Sequence, residues 1–296
     1  MRVAVLSSPM LFQTQGGLQI QILETNAALQ RRGVDARLID PNVEHLKNFD
    51  LVHVYSVING NHRIAEHGKT FGLPVVTSPL LQPIWNRNFG RRARLIERLV
   101  GRLTHWDVKT EYRHIESCLS NSDILIALGE IERRSMVDAF KIDVSRIRVI
   151  PNGIPKRFFD ASPTLAMERL EGKNGFVLCV AAINRYKNQL TLVQALAGTN
   201  HHVVLAGECL PSEETYLQQI QSYPHVTYLG KLDYNDPLLA SAYAAAGVFE
   251  TDTDDRCGRR RSRLFEGRRL GPLRDELQGG RFRLAGPQRD ADQARE

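Results

Sequence analysis

Two rhythms alternate along the chain. Short apolar runs at residues 2–6, 36–39, 51–55, 74–77, 124–128 and 148–150 are bounded by turn formers and read as buried strands. Between them, helical spacing of apolar residues predicts helices over 18–32, 61–71, 91–103, 108–120 and 131–140. This alternation is the pattern of a parallel sheet covered on both faces. The run from Pro151 through Asn152, Gly153 and Ile154 to Pro155 then breaks it. The pattern restarts with strand 176–182 and a helix carrying Leu190, Val193, Leu196 and Ala197. Strand 202–206, helix 213–222, strand 226–229, helix 237–246 and the apolar pair Val248 and Phe249 follow, and there the alternation stops. The expected fold class is α/β with two Rossmann-like domains, 1–154 and an incomplete 155–250, and an irregular tail over 251–296.

The two openings share a grammar. After the first strand, Gly16 and Gly17 lie in a loop before a helix that ends at Arg31, Arg32 and Gly33, a basic last turn with a terminal glycine. After strand 176–182, the turn Ile183, Asn184, Arg185, Tyr186, Lys187 leads into the next helix. Ligands of such sheets sit at the carboxyl ends of the strands, where helix N-termini offer unpaired N–H groups. A cation at a helix N-terminus opposes the dipole unless an anion binds there, so Arg185 and Lys187 are candidate phosphate ligands; the alternative is two solvated surface charges. The pair Gly16 and Gly17 would let a backbone approach a phosphate, or would only shape a turn. Gly207 and Glu208, ending strand 202–206, are a candidate nucleotide contact or a plain turn.

Two further features bear on partners. The segment from Arg91 to Leu103 is amphipathic, and Leu95, Ile96, Leu99 and Leu103 read first as the buried face of an ordinary helix. Its arginine density supports the other reading, peripheral contact with an anionic membrane. Residues 251–296 hold twelve arginines, nine acidic residues and no lysine, valine, isoleucine or tyrosine, which leaves little to fill a core. Such composition is that of a GC-rich gene read out of frame, and the interspersed acids argue against a nucleic-acid-binding tail.

With 296 residues there is room for two domains, and the net charge of +6 suits anionic ligands. No apolar run reaches the ~20 residues of a spanning helix. The first ten residues read as a strand and not as a signal peptide. The four cysteines are scattered without CxxC, which predicts a cytoplasmic setting, with attachment at the inner membrane face if the basic segment binds lipid. Absence of HExxH and Cys/His spacing predicts no metal site; absence of GxSxG and GxxxxGK[ST] argues against a lipase-type hydrolase and a P-loop ATPase. GxGxxG is also absent after either opening strand, as is a YxxxK dyad in a suitable place, which disfavours a nucleotide-sugar epimerase or dehydrogenase with a Rossmann core.

The run NSDILIALGEIERRSMVDAFKIDVSRIRVIPNGI, with Gly16 and Gly17, FVLCVAAINRYKNQL, LAGE and VTYLGKL, resembles the retaining glycosyltransferases of family 4, which have the GT-B fold. The likeness spans residues 1–249. It implies a nucleotide-sugar donor as substrate, no cofactor or metal, and a carbohydrate, lipid-linked or small-molecule acceptor. It further implies that Lys187, with Arg185, binds the donor diphosphate, that Gly16 and Gly17 approach it, and that Asn152 and Gly153 shape the hinge. Three positions depart from the family pattern. The family arginine falls on Ala182, the family histidine falls near Pro79, and the E-x7-E segment expected after Phe249 is missing. The last departure predicts weak turnover, or a non-catalytic relic that binds without reacting.

Overall fold

The computed structural model describes residues 1–13, 16–82, 84–250 and the strand Leu264–Glu266. The reading of residues 251–296 as an irregular tail lies, apart from that strand, outside the described residues. The chain divides into two units, Met1–Gly153 and Ile154–Glu296.

The first unit follows the order β1 (Arg2–Leu6), α1 (Gly17–Arg31), β2 (Asp35–Leu38), β3 (Leu51–Tyr55), α2 (His62–Thr70), β4 (Val75–Ser78), α3 (Arg87–Leu103), α4 (Glu111–Ser120), β5 (Ile124–Ala127), α5 (Glu130–Phe140) and β6 (Ile147–Val149). Its six strands form one sheet in the order β2-β1-β3-β4-β5-β6, every pair parallel. Side chains alternate across a strand, so β1 serves two cores. Val3 and Val5 pack with Ile22 of α1 on one face, while Ala4 and Leu6 belong to the opposite cluster with Ile115, Leu119 and Met136.

The second unit runs α6 (Lys156–Phe159), α7 (Thr164–Arg169), β7 (Val177–Val180), α8 (Gln189–Leu196), β8 (Val203–Ala206), α9 (Glu214–Gln221), β9 (Val226–Tyr228), α10 (Pro237–Ala245), β10 (Val248–Glu250) and β11 (Leu264–Glu266). The sheet order is β11-β10-β7-β8-β9, parallel except for the antiparallel pair β10–β11. The edge of β10 is not bare, because β11 lies along it. Val177, Cys179, Val203 and Leu205 face Val193 and Ile220; Leu178 and Val204 face Ala166, Leu170 and Ala242. The short helices α6 and α7 have no counterpart in the periodicity; α7 is tied to α10 by Ala166 N–H donating to Ser241 Oγ at 2.9 Å.

α3 reverses an expectation. Its buried residues are Gly90, Glu97 and Gly101, and Leu95, Ile96, Leu99 and Leu103 point to solvent. The reason is close packing. A Cβ on Gly90 would lie 2.5 Å from Ala139 Cα, and one on Gly101 would lie 2.3 Å from the Trp106 ring. The helix therefore rests on its glycines, backbone nearly against its neighbours, and leucine on that side would not fit.

Candidate functional site

In the second unit, the carboxyl edge of the sheet gathers two turns. Ile183 bridges Cys209 in parallel register, and its N–H donates to Glu208 O at 2.8 Å, which places the 183–187 turn beside Gly207 and Glu208. Residues Arg185–Lys187 form a single 3-10 turn capped by Asn184, whose Oδ1 accepts from Lys187 N–H at 3.0 Å. Asn188 follows in the left-handed region at φ 56, a conformation asparagine tolerates, and α8 starts at Gln189. Gln189 is buried, and its Nε2 donates to Ala182 O at 2.9 Å, pinning the start of α8 to the end of β7.

This arrangement changes what the turn can offer an anion. Lys187 N–H is used by Asn184, Asn188 N–H by Arg185 O, and Leu190 N–H donates to Tyr216 Oη at 3.0 Å. Amides expected to be open at the α8 N-terminus are thus partly occupied. The side-chain cations are not. Among the described residues neither Arg185 nor Lys187 makes an ion pair; the guanidinium sits 5.4 Å from the Tyr216 ring centroid and the ammonium 5.6 Å from that of Tyr186. Burial raises the Tyr216 phenol above its ordinary pKa, so it stays a neutral platform beneath Arg185.

Gly207 has a structural duty. At φ +156 its Cβ would stand 1.9 Å from Ala181 O, so no other residue fits. Its N–H donates to Gly230 O at 2.9 Å, and its own oxygen accepts from Tyr228 Oη at 2.7 Å. The Glu208 carboxylate pairs with Lys231 Nζ at 3.0 Å, both partly exposed. Lys231 is thus a third cation at this edge. Sequence reasoning missed it, because only the pairing of β8 with β9 brings the two turns side by side.

The first unit presents a different edge. Gly16 caps α1 in extended backbone; a methyl there would meet only Gln19 Oε1, at 3.6 Å, and a methyl on Gly17 would meet nothing within 4 Å. Among the described residues nothing makes either position demand glycine for conformation or for space. Further along, Ser56, Asn59 and Leu80 adopt positive φ of 73, 59 and 56 at the carboxyl ends of β3 and β4. Such conformations cost energy and persist where surroundings hold them. Asn61, buried, holds the first by donating from Nδ2 to Tyr55 O and Ser56 O. Beyond Leu80 a concavity of ≈ 380 Å³ opens between the ends of β4 and β5, lined by Leu80, Leu81, Gln82, Leu128, Ile131 and Glu132. Glu132, in the first turn of α5, accepts from Leu81 N–H at 2.9 Å and Leu128 N–H at 2.7 Å, while burial raises its pKa. Sequence reasoning missed Glu132; an acidic residue at the start of a helix was the available signal.

Asn152 and Gly153 are exposed at the boundary between the units, and Ala182, also exposed, brings no cation to the end of β7. Among the described residues no group of three or more His, Cys, Asp or Glu side chains is arranged to hold a metal.

No family model matches the sequence, and no curated protein does. Solved structures do. HepE from Anabaena, crystallised with UDP and glucose and also with UDP-glucose, matches in the first complex with a TM-score of 0.58 at 15% identity, covering 86% of this chain and 74% of HepE. UDP-GlcNAc 2-epimerase from Methanocaldococcus jannaschii matches with a TM-score of 0.51 at 11% identity, covering 84% and 78% of the two chains. These likenesses, with two parallel-stranded α/β units in tandem, give the chain the Rossmann-like GT-B fold.

Proposed function

We propose that this protein binds a nucleoside-diphosphate sugar and transfers the sugar to an acceptor with retained configuration. The observation that carries the reading is the Arg185–Lys187 turn: two unpaired cations fixed at the carboxyl edge of β7 by Asn184 and Gln189. The complexes of HepE with UDP and UDP-glucose support a uridine nucleotide as the first donor to try. In this reading Lys187, on its short turn, meets the diphosphate and stabilises the charge that grows as the glycosidic bond breaks. Arg185, held over Tyr216, takes the role left empty at Ala182. Gly16 and Gly17 leave the start of α1 open to a phosphate, and Asn152 and Gly153 act as the hinge. Glu208 is paired with Lys231, so a ribose contact there requires that pair to open.

Calorimetric titration with UDP-, GDP- and ADP-sugars, followed by assays of transfer and hydrolysis, tests this. Lys187→Ala is expected to weaken donor binding about 10- to 100-fold, the worth of one charge-assisted contact, without shifting the melting temperature. No binding of any donor overturns the reading. Binding lost with Lys187→Ala but never accompanied by turnover identifies the non-catalytic relic implied by the missing E-x7-E segment.

A further inference from the structure

α3 wears its aliphatic side chains on the outside. Leu95, Ile96, Leu99 and Leu103 are 58%, 56%, 60% and 73% exposed. At helical spacing these residues form one stripe, with Arg92 among them. Arg87, Arg91, Arg94, Arg98 and Arg102 recur at steps of four, three, four and four, and so make a second stripe beside it. The single carboxylate of the helix, Glu97, is turned inward, where it accepts from Thr110 N–H at 3.0 Å and leaves the outer face without an acid. Among the described residues no ion pair engages Arg87, Arg91, Arg92, Arg98 or Arg102.

A contiguous apolar stripe on a surface marks a place of contact. Leucines alone would fit a protein as well as a lipid. The neighbouring arginine stripe, unopposed by any outward acid on the helix, selects a surface that is apolar within and anionic at its boundary. We propose that α3 docks flat on an anionic phospholipid bilayer. Leu95, Ile96, Leu99 and Leu103 enter the acyl boundary, and the guanidinium groups stay level with the lipid phosphates. No helix among the described residues is long and apolar enough to cross a membrane, and docking in the plane asks for none. Gly90 on Ala139 of α5 keeps the helix seated on the first unit, so that the domain is carried to the surface with it. The inference stands apart from the donor reading, and its test uses no nucleotide sugar.

The test is co-sedimentation of the full chain with vesicles of phosphatidylcholine alone or mixed with phosphatidylglycerol, at low and high salt. Binding is expected to the mixed vesicles only, weakened by salt. Leu95→Ser/Leu99→Ser is expected to lower the partition coefficient about 100-fold through lost apolar burial. Arg91→Gln/Arg98→Gln/Arg102→Gln lowers it by about the same factor and removes most of the salt dependence. Circular dichroism and melting temperature remain those of the parent, because every altered side chain points outward. Failure to bind anionic vesicles, equal binding to neutral ones, or indifference to both variants overturns the proposal. So does a dimer in light scattering that Leu95→Ser/Leu99→Ser dissolves, since a second copy would then cover the face.

Discussion

The two strand–turn–helix openings look alike in sequence and differ in what their backbones leave free. At β1–α1, glycine occupies two positions where neither torsion nor space requires it. At β7–α8, Asn184, Asn188, Gln189 and Tyr216 consume amides that a bare helix N-terminus would offer, and the charge is carried by side chains. Among the described residues one opening is clear, the other closed and cationic. Phosphate recognition can be built from either, but not by the same atoms.

The sharpest separation of the two comes from glycine itself. Gly207→Ala is expected to destabilise the second unit by about 3 kcal/mol or more, since backbone must move to relieve the overlap with Ala181 O; urea unfolding followed by circular dichroism reads this. Acid separates the units next. Burial lowers the His53 pKa from 6.5 to about 4, with Nε2 3.0 Å from Ser78 Oγ. Below pH 6.5 the unfolded chain takes up a proton that the folded chain refuses. Stability is therefore full above pH 6.5 and falls as pH drops toward 4, by about 3 kcal/mol at most. Both tryptophans, Trp85 and Trp106, lie in the first unit, so their fluorescence during urea titration at pH 7 and pH 5 follows that unit. His53→Gln is expected to flatten the difference. Tyr216→Phe removes the partner of Leu190 N–H and is expected to cost about 1 kcal/mol of stability, with donor affinity unchanged or improved as an amide is freed. A loss of donor affinity would mean that the closed opening depends on its caps. Smallest in stability is Gly17→Ala, expected to be neutral or stabilising by up to about 1 kcal/mol at a helix start. If it leaves donor affinity untouched, the clear opening serves no phosphate.

Much of the α/β architecture is legible in the sequence because buried parallel strands are continuous apolar runs. β1, β3 and β8 are buried along nearly their whole length, and turn formers mark their ends. The same pattern turns α3 the wrong way round for a physical reason. Hydrophobic pattern ranks side chains by what water rejects, whereas the inward face of α3 is chosen by how near two backbones can come. Gly90, Ala93, Glu97 and Gly101 hold that face although leucines are available on the other. Contacts such as Tyr216 to Leu190 and Ser241 to Ala166 join residues far apart in the chain, so no local spacing foretells them. Arg185 and Lys187 stand out because two charges in a strand-to-helix turn are conspicuous. Glu132 does not, because its work is to hold two amides at a concavity that only the folded sheet creates.

The glycine seat of α3 has a mechanical side. With Gly90 against Ala139 there is no layer of flexible side chains at that point to absorb a displacement. α3 and α5 therefore meet at that point with no side chain larger than a methyl between them. Glu132, where the 380 Å³ concavity begins, stands at the other end of α5 from that contact.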